Sequence, residues 1–132
     1  MTFENVNYLL GGSYEKRQIS QVQLNRLNRI GTLPFDFALG ACTVVNQQIM
    51  MCFHQSTPKK CRLTTNFKTF TDVSKSLYDH RGIRIATNSM ERTMAIGSNG
   101  DSENVPYHGH VELLDSSTWS WYKADDYPYD TR

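Results

Sequence analysis

A group of short strands recurs along this chain at a nearly constant spacing, and this recurrence restricts the fold more than any other feature. Each copy has an apolar strand that ends at a glycine pair or its substitute: Gly11-Gly12, Phe53-His54 and Gly97-Ser98. A polar loop then leads to a strand in which apolar and polar residues alternate, as in the stretch VELLD at 111–115. The copies lie about 45 residues apart, a spacing typical of structural repeats.

Further strands complete these units. The stretches 40–53 and 83–97 each contain a strand, a polar turn and a second strand. Every unit closes with a short strand that carries one large apolar residue, Ile30, Phe70 or Trp121. The sequence therefore predicts two four-stranded units, over approximately 38–74 and 83–130, and a partial unit of three strands over 5–37. Repeats of this length made of strands alone are typical of β-propeller blades.

The double glycine Gly11-Gly12, the strand VELLD and the spaced Trp121 resemble the marks of kelch repeats, the blades of the galactose-oxidase-type β-propeller. The resemblance covers nearly the whole chain. It implies an all-β fold in one domain over 1–132, an incomplete β-propeller of four-stranded antiparallel kelch-type blades. In such a blade, glycine permits a positive φ and Trp121 packs between neighbouring blades. Because open sheet edges would remain, the isolated chain is expected to self-associate.

The composition excludes several classes of partner. The 132 residues include 14 basic and 13 acidic ones, for a net charge of +1. No field of one sign is available to attract nucleic acid. No apolar run approaches the ~20 residues of a membrane span, and the N-terminus lacks the pattern of a signal peptide. The sequence thus favours a protein partner over nucleic acid or membrane.

Three cysteines are present, and their arrangement leaves two interpretations open. Cys52 and Cys61 flank a polar loop in a predicted hairpin, so they could form a disulfide across the strand pair. Alternatively, both are small buried residues in a reducing compartment. The protein is expected to be extracellular in the first case and cytoplasmic in the second. Cys42 is predicted to be a core residue of an inner strand.

The most site-like stretch is Tyr107-His108-Gly109-His110, where two histidines lie on one face of a strand. Such a pair could ligate a metal, and galactose oxidase itself uses Tyr and His around copper. No third ligand is indicated, so two loop histidines that meet solvent or a partner are the default interpretation. No metal, cofactor or catalytic residue is predicted, because the sequence contains neither a phosphate loop nor the pattern of a Ser-His-Asp site.

The favoured function is a non-catalytic protein-interaction module that presents blade loops to a partner. The alternative is part of a propeller enzyme that acts on carbohydrate or uses copper, with its site on other blades. In an up-and-down blade, the loop after the second strand and the linker to the next blade emerge at the same end. Loop residues held by a rigid sheet form interface anchors, and the candidates at this end are Tyr14, Arg17, His54, Lys59, Tyr78, Asp79, His80, Arg81, Tyr107 and His108.

Overall fold

A computed structural model describes residues 1–80, 82, 85–87, 90, 92–98 and 108–125. Across these residues the protein contains twelve β-strands, arranged as three four-stranded antiparallel sheets. The first sheet consists of β1 (Thr2–Phe3), β2 (Val6–Leu10), β3 (Gln18–Gln23) and β4 (Arg26–Thr32). The second consists of β5 (Ala41–Val45), β6 (Gln48–His54), β7 (Thr57–Thr64) and β8 (Thr71–Val73). The third consists of β9 (Ile85–Thr87), β10 (Thr93–Ser98), β11 (His108–Asp115) and β12 (Ser120–Lys123).

The predicted all-β fold is confirmed, and in each sheet the strands lie side by side in chain order, as in a propeller blade. The first sheet differs from the prediction of three strands, because the two-residue strand β1 adds a fourth. Glu4 and Asn5 connect β1 to β2 with φ of 49° and 63°, the conformation of a two-residue hairpin turn. A strand of two residues has no alternation of its own, so the sequence pattern could not indicate it.

The three units share a backbone feature at the end of the second strand. Gly11, Phe53 and Gly97, which occupy equivalent positions in the repeat, have φ of 67°, 65° and 69°. The strand register shifts at Phe53 and at Gly97, so each of these residues forms a β-bulge. A bulky residue rarely adopts this conformation. Phe53 is held there by complete burial of its side chain in the core. The middle unit therefore keeps the geometry of its neighbours without a glycine.

Two hydrophobic clusters lie between successive sheets. Strand β6 supplies Ile49 and Met51 to the cluster shared with the first sheet, and Met50 and Cys52 to the cluster shared with the third. Successive residues of a strand point to opposite faces, so the second sheet is buried on both of its faces. All four of these side chains are at most 2% exposed. The second sheet is therefore the centre of the described structure.

The large apolar residues at the outer strands have three different environments. Trp121 is buried and packs near Phe53, with 5.9 Å between ring centroids. Phe70 precedes β8 and is half-buried, with its ring 4.9 Å from that of Phe35. Ile30, in contrast, is 51% exposed. The register between β3 and β4 skips Ile30, so this side chain does not follow the alternation of its strand.

The linkers that follow the first two sheets, 33–40 (first linker) and 74–82 (second linker), are anchored in the same way. Backbone N–H groups of Leu33 and Ser76 donate to the carbonyl oxygens of Arg17 and Lys59, at 2.6 and 3.1 Å. Phe37 and His80 likewise donate to Lys16 and Pro58, at 2.7 and 3.0 Å. Both linkers therefore run beside the start of the third strand of their own sheet, at Lys16 and Arg17 just before β3 and at Pro58 and Lys59 in β7. We call this end of the sheets the loop end. The described part of the chain has no helix able to cross a membrane.

We expect Gly11→Ala to lower the free energy of unfolding by about 2–3 kcal/mol. The new Cβ would overlap the carbonyl oxygen of Phe37, and the positive φ is unfavourable for alanine. Gly31→Ala is the control, because its Cβ would meet only the Ile19 side chain at 3.5 Å. Urea denaturation of both variants measures the difference. Equal effects would contradict the role assigned to Gly11.

Candidate functional site

Two adjoining clefts lie at the loop end, on either side of the short loop between β6 and β7. The first has a volume of about 320 Å³ and the second about 390 Å³. Ser56, Thr57 and Lys60 line both of them. The first cleft is also lined by Arg17, Pro34, Phe35, Asp36, Phe37, Met51, His54 and Arg62, and the second by Pro58, Lys59, Lys75 and Asp79.

Positive charge predominates in both clefts. Their linings contain Arg17, Lys59, Lys60, Arg62 and Lys75, against the two carboxylates Asp36 and Asp79. Asp36 accepts a hydrogen bond from Arg17 Nε at 2.8 Å, and this bond holds the pKa of Asp36 below its usual range. An exposed acid outside the clefts, Asp72, lies 3.7 and 3.8 Å from the Lys60 and Arg62 side chains. Exposed ion pairs of this length contribute little, so these cations remain available to a ligand.

Two contacts shape the first cleft. The guanidinium of Arg62 lies 3.8 Å from the centre of the Phe35 ring, a cation–π contact between β7 and the first linker. His54, at the end of β6, has its Nδ1 2.9 Å from the backbone nitrogen and 3.1 Å from the carbonyl oxygen of Ala38. His54 thus fastens the first linker beside the cleft.

The candidate residues predicted from sequence occupy different environments. Arg17, His54, Lys59 and Asp79 all line the clefts, and Tyr78 is half-buried in the second linker. Tyr14 is 99% exposed and belongs to neither cleft lining. Arg81 and Tyr107 lie outside the described residues, as does the side chain of His108, which begins β11. Their binding of a partner stays a prediction.

His80 is a correction to the predicted surface, because its side chain is fully buried. Its Nε2 lies 2.5 Å from a carboxylate oxygen of Glu112, which is also fully buried, and its Nδ1 lies 2.8 Å from the carbonyl oxygen of Gly97. A polar loop residue was expected at the surface. His80 is buried because the Glu112 carboxylate on the facing strand β11 is itself buried, and a buried charge requires a polar partner.

Glu112 holds the second linker against β11. Its carboxylate accepts the backbone N–H groups of Leu77 and Tyr78, at 2.7 and 3.1 Å, in addition to the His80 contact. Burial by itself raises the pKa of Glu112, but the hydrogen bonds from His80, Leu77 and Tyr78 outweigh it and the pKa is lowered. The His80 ring thus bridges the Glu112 carboxylate and the carbonyl oxygen of Gly97.

Arg62 and Glu112 occupy equivalent positions in successive sheets. Arg62 pairs with Met51, and Glu112 pairs with Ala95. Met51 and Ala95 each lie two residues before the bulge of their strand. The linker residue that corresponds to Leu77 is Pro34, which has no N–H group to donate. A carboxylate thus finds two backbone donors at the second junction, whereas one of the two is lost at the first. The second junction is closed by the buried His80–Glu112 pair, and the first keeps a cleft beside Arg62.

Sequence reasoning missed both Arg62 and Glu112. One signal was present, since each is a charged residue inside a strand that supplies apolar residues to the core, Cys61 and Leu63 in β7 and Leu114 in β11. A charge at such a position indicates a buried partner or a contact beyond the sheet. The partner itself could not be read, because His80 lies 32 positions away from Glu112.

The disulfide interpretation is confirmed. Cys52 and Cys61 are direct partners on the adjacent antiparallel strands β6 and β7, with 4.1 Å between their Cα atoms and a bond between their sulfurs. Both residues are fully buried. Cys42 is not bonded, and desolvation raises the pKa of its thiol to about 12. Cys42 is therefore protonated and unreactive at neutral pH.

Of the predicted histidine pair, the structure describes the side chain of His110 but not that of His108. His110 lies in β11, not in a loop, and its ring stacks on Tyr78 with 4.0 Å between centroids. Within the described ranges, no group of three or more His, Cys, Asp or Glu side chains is arranged to hold a metal ion.

Comparison with known proteins supports the fold. The chain is similar to a fungal alcohol oxidase of the AA5 family, solved in complex with copper, with a TM-score of 0.59 and 15% sequence identity. The similarity covers 80% of this chain and 23% of that structure, so the chain spans about a quarter of its length. No protein-family model matches the chain, and no curated protein matches it. The likeness establishes a propeller-like all-β fold.

Removal of the disulfide by the paired substitution Cys52→Ala and Cys61→Ala is expected to lower the free energy of unfolding by about 2–4 kcal/mol. The loss reflects the greater freedom of the unfolded chain and the emptied space between the second and third sheets. Guanidinium denaturation with and without dithiothreitol measures it. Cys42→Ala is the control and should keep the sensitivity to reductant. A wild-type protein indifferent to reductant would contradict the prediction.

Glu112→Gln should destabilise the fold by about 3 kcal/mol near neutral pH, because it removes a buried carboxylate that accepts the N–H groups of Leu77 and Tyr78 and contacts His80. The lowered pKa of Glu112 means that its contribution is complete above the ordinary value of 4.5 and is lost as the pH falls through the lower folded value. The variant should therefore lose less stability than wild type on acidification. Denaturation across this pH range, in a double-mutant cycle with His80→Gln, measures the coupling. Parallel acid profiles would count against it.

Proposed function

We propose that the chain is a non-catalytic binding module of kelch-type blades, and that an acidic segment of a protein partner binds at its loop end. One observation carries the proposal: the two clefts adjoin across Ser56 and Thr57, and five cations line them against two carboxylates. Together the clefts offer a continuous path for an extended segment with spaced carboxylates.

Three repeated features support the assignment to kelch-type blades. Glycine, or a residue held in the same positive-φ conformation, stands at the end of each second strand, at Gly11, Phe53 and Gly97. Each sheet is a four-stranded meander. The tryptophan of the third unit, Trp121, is buried between the second and third sheets.

The chemistry of the clefts favours carboxylates over neutral groups. Lys59 and Lys75 face the second cleft, where Asp79 is the only acid among the lining residues. In the first cleft, Arg17 neutralises Asp36, so Lys60 and Arg62 supply the excess charge. A surface of this kind attracts segments of opposite charge and rejects basic ones. The exposed Tyr14 on the loop of the first sheet is placed to add an aromatic contact at the rim.

The titratable groups of the clefts favour binding over catalysis. Asp36 has a lowered pKa and is paired with Arg17, so it is a poor proton acceptor at neutral pH. The Nδ1 atom of His54 is occupied by the backbone of Ala38. The buried His80–Glu112 pair is sealed from solvent. These arrangements hold the linkers in position and leave the cations as the groups that meet a partner.

The disulfide supports an extracellular location. Bonds of this kind persist in oxidising compartments and are rare in the cytosol. Cys52–Cys61 joins the two central strands of the second sheet and is fully buried in the cluster shared with the third sheet.

A second candidate function is a segment of a propeller enzyme that uses copper, with its site on other blades. The similarity to the copper-containing alcohol oxidase favours it. The copper content of the intact protein distinguishes the two. A stoichiometric copper load would favour the enzyme, whereas the binding module requires none.

The charge-reversed variant Lys59→Glu, Lys75→Glu should weaken binding of a fluorescent oligo-glutamate peptide by about tenfold or more, equivalent to about 1.4 kcal/mol. Fluorescence anisotropy measures the dissociation constant at several salt concentrations. The control is Arg26→Glu, Lys68→Glu, which makes the same charge change at the opposite end of the sheets. Wild type and the control should bind alike, with affinity that falls as salt rises.

Equal weakening in the two variants would show that net charge alone attracts the peptide, and would contradict the loop end as its site. Undetectable binding by wild type at low salt would exclude an acidic partner. Thermal melting of both variants should stay close to that of wild type, because the Lys75 side chain is exposed and the half-buried Lys59 lines the second cleft, outside both core clusters.

A further inference from the structure

The outer face of the third sheet is apolar. Its side chains lie opposite to the face that bears Glu112 and Leu114, because successive residues of a strand alternate. Cross-strand pairs join them into one stripe, Ile96 with Val111, Met94 with Leu113, and Leu113 with Tyr122. None of the five belongs to either core cluster of the described residues. Four are half-buried and Tyr122 is 51% exposed.

The second sheet shows what normally covers such a stripe. Counted from the bulges at Phe53 and Gly97, the residues equivalent to Ile96 and Met94 are Cys52 and Met50, and those paired with them are Cys61 and Leu63. The third sheet packs on these four residues, which are at most 5% exposed. The outer stripe of the third sheet therefore has the composition of an interface between sheets, but no sheet of the described residues covers it.

The first sheet has the complementary outer face. Leu9 is equivalent to Met51, which faces the first sheet and is 2% exposed, but Leu9 itself is 51% exposed. Val22 and Leu27 pair across β3 and β4 on the same face and are 41% and 54% exposed. Large apolar groups exposed together on one face mark an interaction surface.

We propose that the outer face of the third sheet packs on the outer face of the first sheet of a second copy of this chain, and that two copies close on each other. Faces of these two kinds already pack together twice within the chain, first sheet with second and second with third. Among the described sheets one face of each kind is left without a covering sheet, so a second copy supplies both covering surfaces. Two copies bring six sheets together, within the 4–8 blades of closed propellers. A head-to-tail contact that closes in this way forms a finite ring. The proposal does not depend on the function of the loop end.

The test is sedimentation velocity of the full chain over a range of concentrations. Wild type should be a dimer. Leu9→Arg and Ile96→Arg, one on each face, should each raise the dissociation constant by about thirtyfold or more, as for a buried anchor. Leu24→Arg is the matched control, because Leu24 lies at the turn after β3 and is 109% exposed. It should leave the dimer intact.

Mixing makes the test specific to the pairing of unlike faces. The Leu9→Arg chain retains its third-sheet face and the Ile96→Arg chain its first-sheet face, so an equimolar mixture should recover heterodimers through one intact interface. Circular dichroism verifies that each variant folds. A wild type that stays monomeric, or variants that associate as the control does, would overturn the proposal and assign the faces to another occupant. Open polymers would overturn the closure of two copies.

Discussion

Each sheet of this chain depends on a neighbouring sheet to bury its apolar face. A four-stranded meander has no interior, so its apolar residues become a core only when another sheet covers them. The second sheet meets this requirement on both sides, through Ile49 and Met51 on one face and Met50 and Cys52 on the other. The backbone features at the sheet ends, including the bulges at Phe53 and Gly97, keep successive sheets in the same relation.

The loop end follows from the way the linkers are anchored. Each linker donates backbone hydrogen bonds to residues at the start of the third strand of its own sheet. The residue at the equivalent position of the next sheet, Arg62 or Glu112, then decides what forms between them. Glu112 closes one junction by accepting the N–H groups of the second linker. Pro34 removes one of the corresponding donors at the other junction, where Arg62 stacks on Phe35 beside an open cleft. An open cleft and a junction closed by buried hydrogen bonds are thus two outcomes of one repeated geometry.

Much of this arrangement could be predicted from local pattern. Alternation and turn residues indicated the strands, and the hairpin placed Cys52 opposite Cys61. The repeat also drew attention to Phe53, which stands where its neighbours have glycine. The burial of His80 could not be predicted, because it depends on a carboxylate 32 positions away on another sheet. Nor could the short β1, whose pairing depends on a turn at Glu4 and Asn5 and not on hydrophobic periodicity. Features that depend on neighbouring residues could therefore be predicted from the sequence, whereas polar contacts between distant segments could not.

The position of the second sheet in both clusters has a consequence for how the chain opens. Hydrogen bonds at the outer strands β4 and β12 can break locally while both cores persist, since these strands lie at sheet edges. Strand β6 cannot open locally in this way, because separating it from the first sheet or from the third sheet exposes one of the two clusters. The Cys52–Cys61 bond also keeps β6 beside β7 in partly unfolded forms. Amide hydrogens of β6 are thus expected to exchange with solvent only when the whole structure unfolds. Strand β6 therefore couples the stability of the three sheets.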